Sequence, residues 1–313
     1  MKVLFHYDAG PKLAGELSAL SAAGLDVTTV GASDARRFEA ALPGVEVIWH
    51  VLEPITAEHI ASARSLRLIQ KIGVGVNTID VAAASAGGIA VCNMPGTNSR
   101  AVAEMTLALM LAALRRLPQL DARTREGRGW ELDPAMQECF GEVAGRIVGF
   151  VGFGAVPSLL APVLEALGAR VIYTARGPKP VAYGYRVLDA LLEEADVVSL
   201  HVPLGDDTRE LLDARRIARM KPGAVLVNTA RGGLVDEAAL HAALTSGHLR
   251  AAGLDVMAVE PAAADNPLFA LPNVALAPHL AWLTPETLER SLQVAVENCR
   301  RLADGRELLH RVA

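Results

Sequence analysis

Between Arg146 and Gly177 the chain reads RIVGFVGFGAVPSLLAPVLEALGARVIYTARG, and few folds accept that order. Ile147 to Val151 is an apolar run with the length and composition of a buried parallel strand. Gly152 and Gly154 make a tight turn, an Ala/Leu-rich helical segment follows, and a second apolar run covers Val171 to Tyr173. Strand, glycine turn, helix, strand is the order of a dinucleotide-binding βαβ unit. In that reading Gly152 permits the turn and Gly154 lets the backbone approach a pyrophosphate. The free N–H groups of Ala155 and Val156 at the helix start bind the anion. Pro157 stands where G-x-G-x-x-G has its third glycine. An ordinary glycine turn between strand and helix would give the same residues, so the rest of the chain has to decide.

At 313 residues the chain has the length of about two domains. It is 51% hydrophobic, yet no stretch reaches the ~18 uncharged apolar residues of a membrane span. The opening MKVLFHYDAGPK reads as a first strand and turn rather than a signal peptide. Cys92, Cys139 and Cys299 lie far apart, with neither a disulfide framework nor a metal-ligand spacing. The expectation is a cytoplasmic protein without a bound metal. A net charge of −5 argues against a nucleic-acid or anionic-membrane partner.

Along residues 1–92 apolar runs alternate with helical patterns. Val3–His6, Val27–Val30, Val45–Trp49, Leu66–Ile72 and Ile89–Cys92 are expected strands, with helices near 12–22, 34–41, 56–64 and 78–87. Such alternation implies a parallel sheet covered by helices on both faces. A long helical stretch from about Ser99 to Glu126, apolar almost all round through Leu114, is expected to kink or divide at Pro118. Trp130 to Gly145 reads as an irregular polar loop. Alternation then resumes, with helices at Leu188–Glu194, Thr208–Met220 and Asp236–Gly247. The strands expected between and after them are Val197–Leu200, Ala224–Asn228, Ala251–Val256 and Val274–Ala277. The last helix has Thr284 as N-cap, Pro285 at its first position and Glu286 near its positive end. The chain therefore divides into a nucleotide domain over 99–283, inserted in a domain made of 1–98 and 284–313.

Three polar positions lie just past apolar strands, where open α/β sheets place ligands. Arg231, in NTARGG, can grip a carboxylate with two parallel hydrogen bonds. Asp255 ends a strand, and Glu260 lies in the loop beyond it. His279, in APH, is the side chain best suited to exchange a proton near neutral pH. Each alone has a structural alternative: a surface ion pair, a solvated carboxylate, a packed histidine. Together they fit the reduction of a 2-keto acid, which needs three protein groups. A cation fixes the carboxylate, an acid protonates the developing alkoxide, and a carboxylate orients that acid.

With these residues in view the sequence resembles the D-isomer-specific 2-hydroxyacid dehydrogenase family over nearly its whole length. The resemblance rests on GVGVNTID (Gly73–Asp80), NMPGTNSRAVAE (Asn93–Glu104), HVPLGDDT (His201–Thr208), MKPGAVLVNTARGGLVDE (Met220–Glu237), AGLDVMAVEP (Ala252–Pro261) and APHLAW (Ala277–Trp282). It implies an α/β protein of two doubly wound parallel-sheet domains, a Rossmann nucleotide-binding domain inserted in a flavodoxin-like substrate domain. It implies that Arg231 binds the substrate carboxylate and keto oxygen, and that His279 exchanges the proton. Glu260 would hydrogen-bond His279 and raise its pKa, and Asp255 would hold the nicotinamide carboxamide. His201, Pro203, Thr208, Thr229 and Ala230 would line the cofactor. Val74 and Gly75 would offer N–H groups to the substrate carboxylate from the other domain, across a cleft that closes on the substrate. A homodimer built around the nucleotide domain is also implied.

Three departures from the family pattern carry information. Pro157 sits in the first helical turn, where its missing N–H has no helical partner anyway, whereas Pro162 removes a helix bond. A late helix start or a kink near Pro162 is expected. The second strand ends in VIYTARGPKP, with Ala175 and Arg176 where NAD enzymes carry an acidic residue for the ribose 2′-OH. Arg176, helped by Thr174 and Lys179, suits a 2′-phosphate, so NADP(H) is the expected cofactor, with NAD(H) as the alternative. Finally, His50, Val51 and Leu52 replace the polar pair that many relatives have after the third strand. With Trp282 they could face the substrate side chain and favour an apolar or bulky 2-keto acid. Glyoxylate, hydroxypyruvate, another small anion such as formate or phosphite, and a nicotinamide-responsive binding role stay open at this point.

Overall fold

The apolar runs of the N-terminal third become five short strands: β1 (Lys2–His6), β2 (Asp26–Val30), β3 (Val47–His50), β4 (Leu68–Lys71) and β5 (Ala90–Cys92). All pairings between them are parallel, in the order β2-β1-β3-β4-β5. β3 and β4 are buried at every position, as the near-continuous apolar character of parallel strands requires. The crossover helices are α1 (Pro11–Ala19), α2 (Ala35–Ala41), α3 (Ala57–Ser62) and α4 (Val81–Ala86). Asp34, Thr56 and Asp80 cap the last three, each side chain accepting a first-turn N–H. The computed structural model describes residues 1–131 and 134–313. It divides the chain into two units, Met1–Asn98 with Thr284–Ala313, and Ser99–Leu283.

The second unit opens with α5 (Ser99–Leu114), α6 (Leu117–Arg125) and a single turn, α7 (Pro134–Gln137). The long helix does divide, but at Arg116 rather than at Pro118. Arg116 takes a left-handed φ of 52°, which ends α5, and Pro118 falls in the first turn of α6, where proline costs no helix bond. The segment Trp130–Gly145 is irregular apart from α7, and Leu132 and Asp133 within it lie outside the described residues. Seven strands follow: β6 (Ile147–Val151), β7 (Arg170–Thr174), β8 (Gly184–Tyr185), β9 (Val197–Leu200), β10 (Ala224–Asn228), β11 (Leu249–Leu254) and β12 (Val274–Leu276). They pair in parallel in the order β12-β11-β10-β9-β6-β7-β8, so the strand order reverses between β6 and β9. A crevice at the carboxyl ends of those two strands is where such sheets bind ligands.

Helices α8 (Ala155–Ala166), α9 (Leu188–Glu194), α10 (Ala214–Arg219) and α11 (Glu237–Thr245) link these strands. Alternate strand residues feed two apolar layers. Val148, Phe150, Val171, Tyr173, Val225 and Val227 pack with α5 and α8. Ile172, Val198, Leu200, Leu226 and Leu254 pack with α9, α10 and α11. Expected helix 208–220 shrinks to α10, because Asp206–Thr208 forms a separate 3-10 turn and Asp213 caps the helix by accepting the Arg216 N–H. Proline did not delay α8, which starts at Ala155 and runs through Pro162. α12 (Pro285–Ala303), capped by Thr284 as expected, returns to the first unit. There the buried Asn298 donates to Gln70 Oε1 at 2.6 Å.

Candidate active site

In the second unit the polar residues gather at the carboxyl ends of the strands. At the end of β6, Gly152 has φ 93°, and a Cβ added there would lie 2.5 Å from the His201 carbonyl oxygen. Only glycine allows the turn after β6 to touch the turn after β9. Gly152 N–H donates to the Thr174 carbonyl (2.9 Å), which joins the same turn to the end of β7. Gly154 is the N-cap of α8, and a Cβ added there would meet nothing within 4 Å. The first helical bond runs from Ser158 N–H to the Gly154 carbonyl, so the N–H groups of Ala155 and Val156 precede the helical ladder. Pro157 is buried at the third position of α8, where an N–H would also lack a helical acceptor. This accounts for the missing third glycine: the proline packs inward and subtracts no bond from the helix. An open approach, two helix-start N–H groups and a main-chain turn free of side chains fit a pyrophosphate.

His201 follows β9. Its Nε2 pairs with Ser199 Oγ at 2.9 Å and its ring meets Phe150 edge-on, and burial pushes its imidazole down to about 3. It is therefore a neutral wall, not a cation. Beyond it, Thr208 Oγ1 accepts from Gly205 N–H and donates to the Pro203 carbonyl, both at 2.8 Å, and so ties off the loop. Arg176 is exposed just past the end of β7, and Lys179 Nζ donates to the Phe153 carbonyl at 2.6 Å. The Tyr173 hydroxyl accepts the Lys179 N–H at 2.6 Å. Lys179 thus sits against the glycine turn, with Arg176 on the same connection after β7.

Arg231 follows β10, in a turn organised by Asn228. The Asn228 amide accepts from Ala230 N–H (3.0 Å) and donates to the Arg231 carbonyl (2.9 Å). Arg231 Nη1 donates to the Ala230 carbonyl at 2.6 Å. Burial lowers the guanidinium pKa, and the Glu260 carboxylate opposes that shift. A Cβ on Gly232 would collide with the main chain of Met257 at 1.9 Å, so glycine lets the 257–260 loop lie directly on the arginine turn. Glu237, at the start of α11, holds that loop by accepting the Ala258 N–H at 2.5 Å.

His279 and Glu260 meet: Nδ1 lies 2.6 Å from Oε2, while the other oxygen of Glu260 accepts Met257 N–H at 2.9 Å. Burial alone would raise the Glu260 carboxyl. The His279 hydrogen bond, with Met257 N–H and Arg231, outweighs it and holds the group below the usual carboxylate range. An ionised carboxylate only accepts, so Nδ1 carries a proton and Nε2 is the atom left for proton exchange. His279 has φ 56°, a left-handed conformation costly for a side chain this large. Asp255 secures it. Its carbonyl accepts His279 N–H (2.6 Å), and its buried carboxylate accepts the N–H groups of Leu280 (2.9 Å) and Ala281 (3.1 Å). Burial pushes the Asp255 carboxyl up, against the pull of those two N–H groups.

A part-buried guanidinium, a carboxylate-held imidazole and a glycine turn at a helix start stand at one edge of one sheet. A family profile for the D-isomer specific 2-hydroxyacid dehydrogenase NAD binding domain matches residues 107–281. The chain belongs to that family. It is 39% identical over 287 residues to the D-3-phosphoglycerate dehydrogenase of Mycobacterium tuberculosis, covering 90% of this chain and 53% of that protein. The chain thus spans about half the length of those relatives. It is 40% identical over 260 residues to the glyoxylate reductase of Aeropyrum pernix, covering 80% of this chain and 78% of that protein. Among solved structures, the TT0316 protein of Thermus thermophilus aligns with a TM-score of 0.91 and 39% identity over 100% of both chains.

As a member of this 2-hydroxyacid dehydrogenase family, the chain has its other expected site residues divided between the units. Trp282 is buried in the second. In the first, Val74 is exposed in a loop fixed by Asn93 Nδ2 on the Val74 carbonyl (2.9 Å) and Met94 N–H on the Gly73 carbonyl (2.8 Å). Those bonds leave the N–H groups of Val74 and Gly75 outside them. Leu52 is exposed, whereas His50, expected with it to face the substrate side chain, is buried. Its ring is fully buried, with Nε2 2.5 Å from the Glu53 carbonyl, and burial with the nearby Lys71 ammonium pushes its pKa well down. The enclosed imidazole thus ties down the start of the loop that bears Leu52. Sequence reading passed over Asn228, Ser199 and Glu237. A polar residue inside an apolar strand was the available signal for the first two.

Proposed function

We propose that the chain is an NADP(H)-preferring 2-keto acid reductase acting on glyoxylate, hydroxypyruvate or a bulkier 2-keto acid. Ser99–Leu283 is its dinucleotide-binding domain; Met1–Asn98 with Thr284–Ala313 is its substrate domain, to which Val74, Gly75 and Leu52 belong. The observation that carries this reading is the 2.6 Å contact of His279 Nδ1 with Glu260, beside Arg231. Bound nicotinamide supplies the hydride. Arg231 fixes the substrate carboxylate and polarises the keto oxygen, and protonated His279 gives its Nε2 proton to that oxygen as it becomes a hydroxyl. Glu260 holds the ring in the tautomer that leaves Nε2 toward the substrate. Oxidation of the 2-hydroxy acid runs the same proton backwards.

The cofactor preference rests on Arg176 and Lys179 on the connection after β7, with no carboxylate in the sequence from Tyr173 to Arg186. A homodimer through the dinucleotide domain is supported by α8 and its C-cap, which expose Leu159, Val163 and Leu167 at four-residue intervals. Leu111, on α5, which packs against α8, is exposed as well. A cytoplasmic location accords with Cys92 and Cys299, buried as thiols with their pKa pushed up to about 11.

A panel of glyoxylate, hydroxypyruvate, pyruvate and phenylpyruvate, each assayed with NADPH and NADH, tests the reading. Turnover with a higher kcat/KM for NADPH is expected, and His279→Ala should lower kcat by about a hundredfold or more with cofactor binding intact. A higher kcat/KM with NADH removes the cofactor preference. No turnover of any 2-keto acid replaces the reductase by a cofactor-responsive binding protein.

A further inference from the structure

Thr106 lies in α5 and is completely buried. Its hydroxyl has two partners: the Val102 carbonyl at 2.7 Å and the Thr229 hydroxyl at 2.8 Å. A hydroxyl has one hydrogen to give, and a carbonyl has none. The bond to Val102 therefore uses the Thr106 proton, since two oxygens 2.7 Å apart with no hydrogen between them would repel. The bond between the threonines must then run the other way, with Thr229 donating and Thr106 accepting. Once its only proton points into α5, the Thr229 oxygen can offer nothing but lone pairs to any other group.

Thr229 directly follows β10, at the carboxyl edge of the sheet, and keeps 8% of its surface exposed. Its place in the strand order says which part of a dinucleotide that is. The glycine turn follows β6, and Arg176 and Lys179 lie on the β7 side of it. β10 lies on the other side, between β9 and β11, next to Arg231 and one strand from Asp255. The adenosine end belongs over β7, and the nicotinamide and its ribose belong over β10.

We propose that Thr106 is a positioning residue that sets the Thr229 hydroxyl as an obligate acceptor for a donor on the nicotinamide–ribose half of the cofactor, an amide N–H or a ribose O–H. This rests on the functional reading above and adds to it a direction for one hydrogen bond, fixed from α5. Replacing Thr106 by valine keeps the shape and removes the acceptor, which frees the Thr229 proton to turn toward the ligand. Replacing it by serine keeps the hydroxyl and the direction.

Calorimetric titration of wild type, Thr106→Val and Thr106→Ser with NADPH and with adenosine 2′,5′-bisphosphate, which lacks nicotinamide and its ribose, tests the proposal. Thr106→Val should weaken NADPH binding by about three- to tenfold, the worth of one neutral hydrogen bond. It should leave adenosine 2′,5′-bisphosphate binding unchanged, and Thr106→Ser should return NADPH affinity to near wild type. Equal NADPH affinity in Thr106→Val and wild type overturns the proposal. So does an equal loss for both ligands, or a serine variant no better than the valine one. Wild-type protein that binds no NADPH overturns the functional reading together with this one; any other failure leaves that reading standing.

Discussion

His279, the acid of the proposed reaction, shows how much of a residue's placement lies outside its side chain. The ring is useful because Glu260 fixes one nitrogen, but its address is set by the main chain: a left-handed φ of 56° and three N–H groups, from residues 279 to 281, accepted by Asp255. Arg231, Glu260 and His279 were legible in the sequence because each follows an apolar strand and each has a distinctive chemistry. Asn228 and Thr106, and the part Asp255 plays for its neighbours, were not, since what they do depends on partners brought close only by folding. His201 is the residue whose burial has the clearest consequence. The unfolded chain protonates this histidine near 6.5, while the folded protein resists until about 3. Acid therefore draws protons onto the unfolded state first, and stability falls as pH drops through that window. His201→Gln should flatten the acid side of the stability curve, sparing on the order of 2 kcal/mol between about pH 6.5 and 4.5 relative to wild type. Urea denaturation at a series of pH values measures this; parallel curves for the two proteins would refute it.

At the scale of elements, α8 carries the oddest sequence. Its inward positions, Pro157, Leu160, Ala161 and Leu164, are buried, while Pro162 faces solvent in the middle of the helix. Pro162 removes a helix bond without filling any space in the core. Pro162→Ala should accordingly stabilise the second unit by roughly 1–3 kcal/mol, read as a higher urea midpoint with an unchanged slope. A lower midpoint would mean that the ring supports packing not evident from its exposure. Parallel strands were easy to read from sequence because burial on both faces makes them continuous apolar runs, and their ends moved by only a residue or two. The misses have local causes. β8 is two residues long, too short for any periodicity to register. The break between α5 and α6 is set by Arg116 in a conformation rare for arginine, and the nearby proline, though conspicuous, serves only to start the next helix. The stretch 208–220 has helical composition, but Asp213 offers a cap partway along and α10 starts there.

At the scale of the whole molecule, the apolar stripe of α8 bears on assembly. A leucine or valine every fourth residue on the outer face of a helix is costly in water unless another surface covers it. Val163→Asp should halve the mass measured by sedimentation equilibrium if the chain is the homodimer proposed above; a wild-type monomer, or a variant that still dimerises, would place the contact elsewhere or remove it. The fold also separates what can vary from what cannot. The turn at Gly152 has no room for a side chain, because the His201 carbonyl occupies that space, and its N–H is spent on Thr174. Arg176 and Lys179, on the connection that follows β7, are exposed. Mutation can therefore drift through the second place while selection holds the first still. On the function proposed above, coenzyme choice is then a trait separable from the reaction itself, open to change by substitutions at Arg176 and Lys179 that leave the glycine turn untouched.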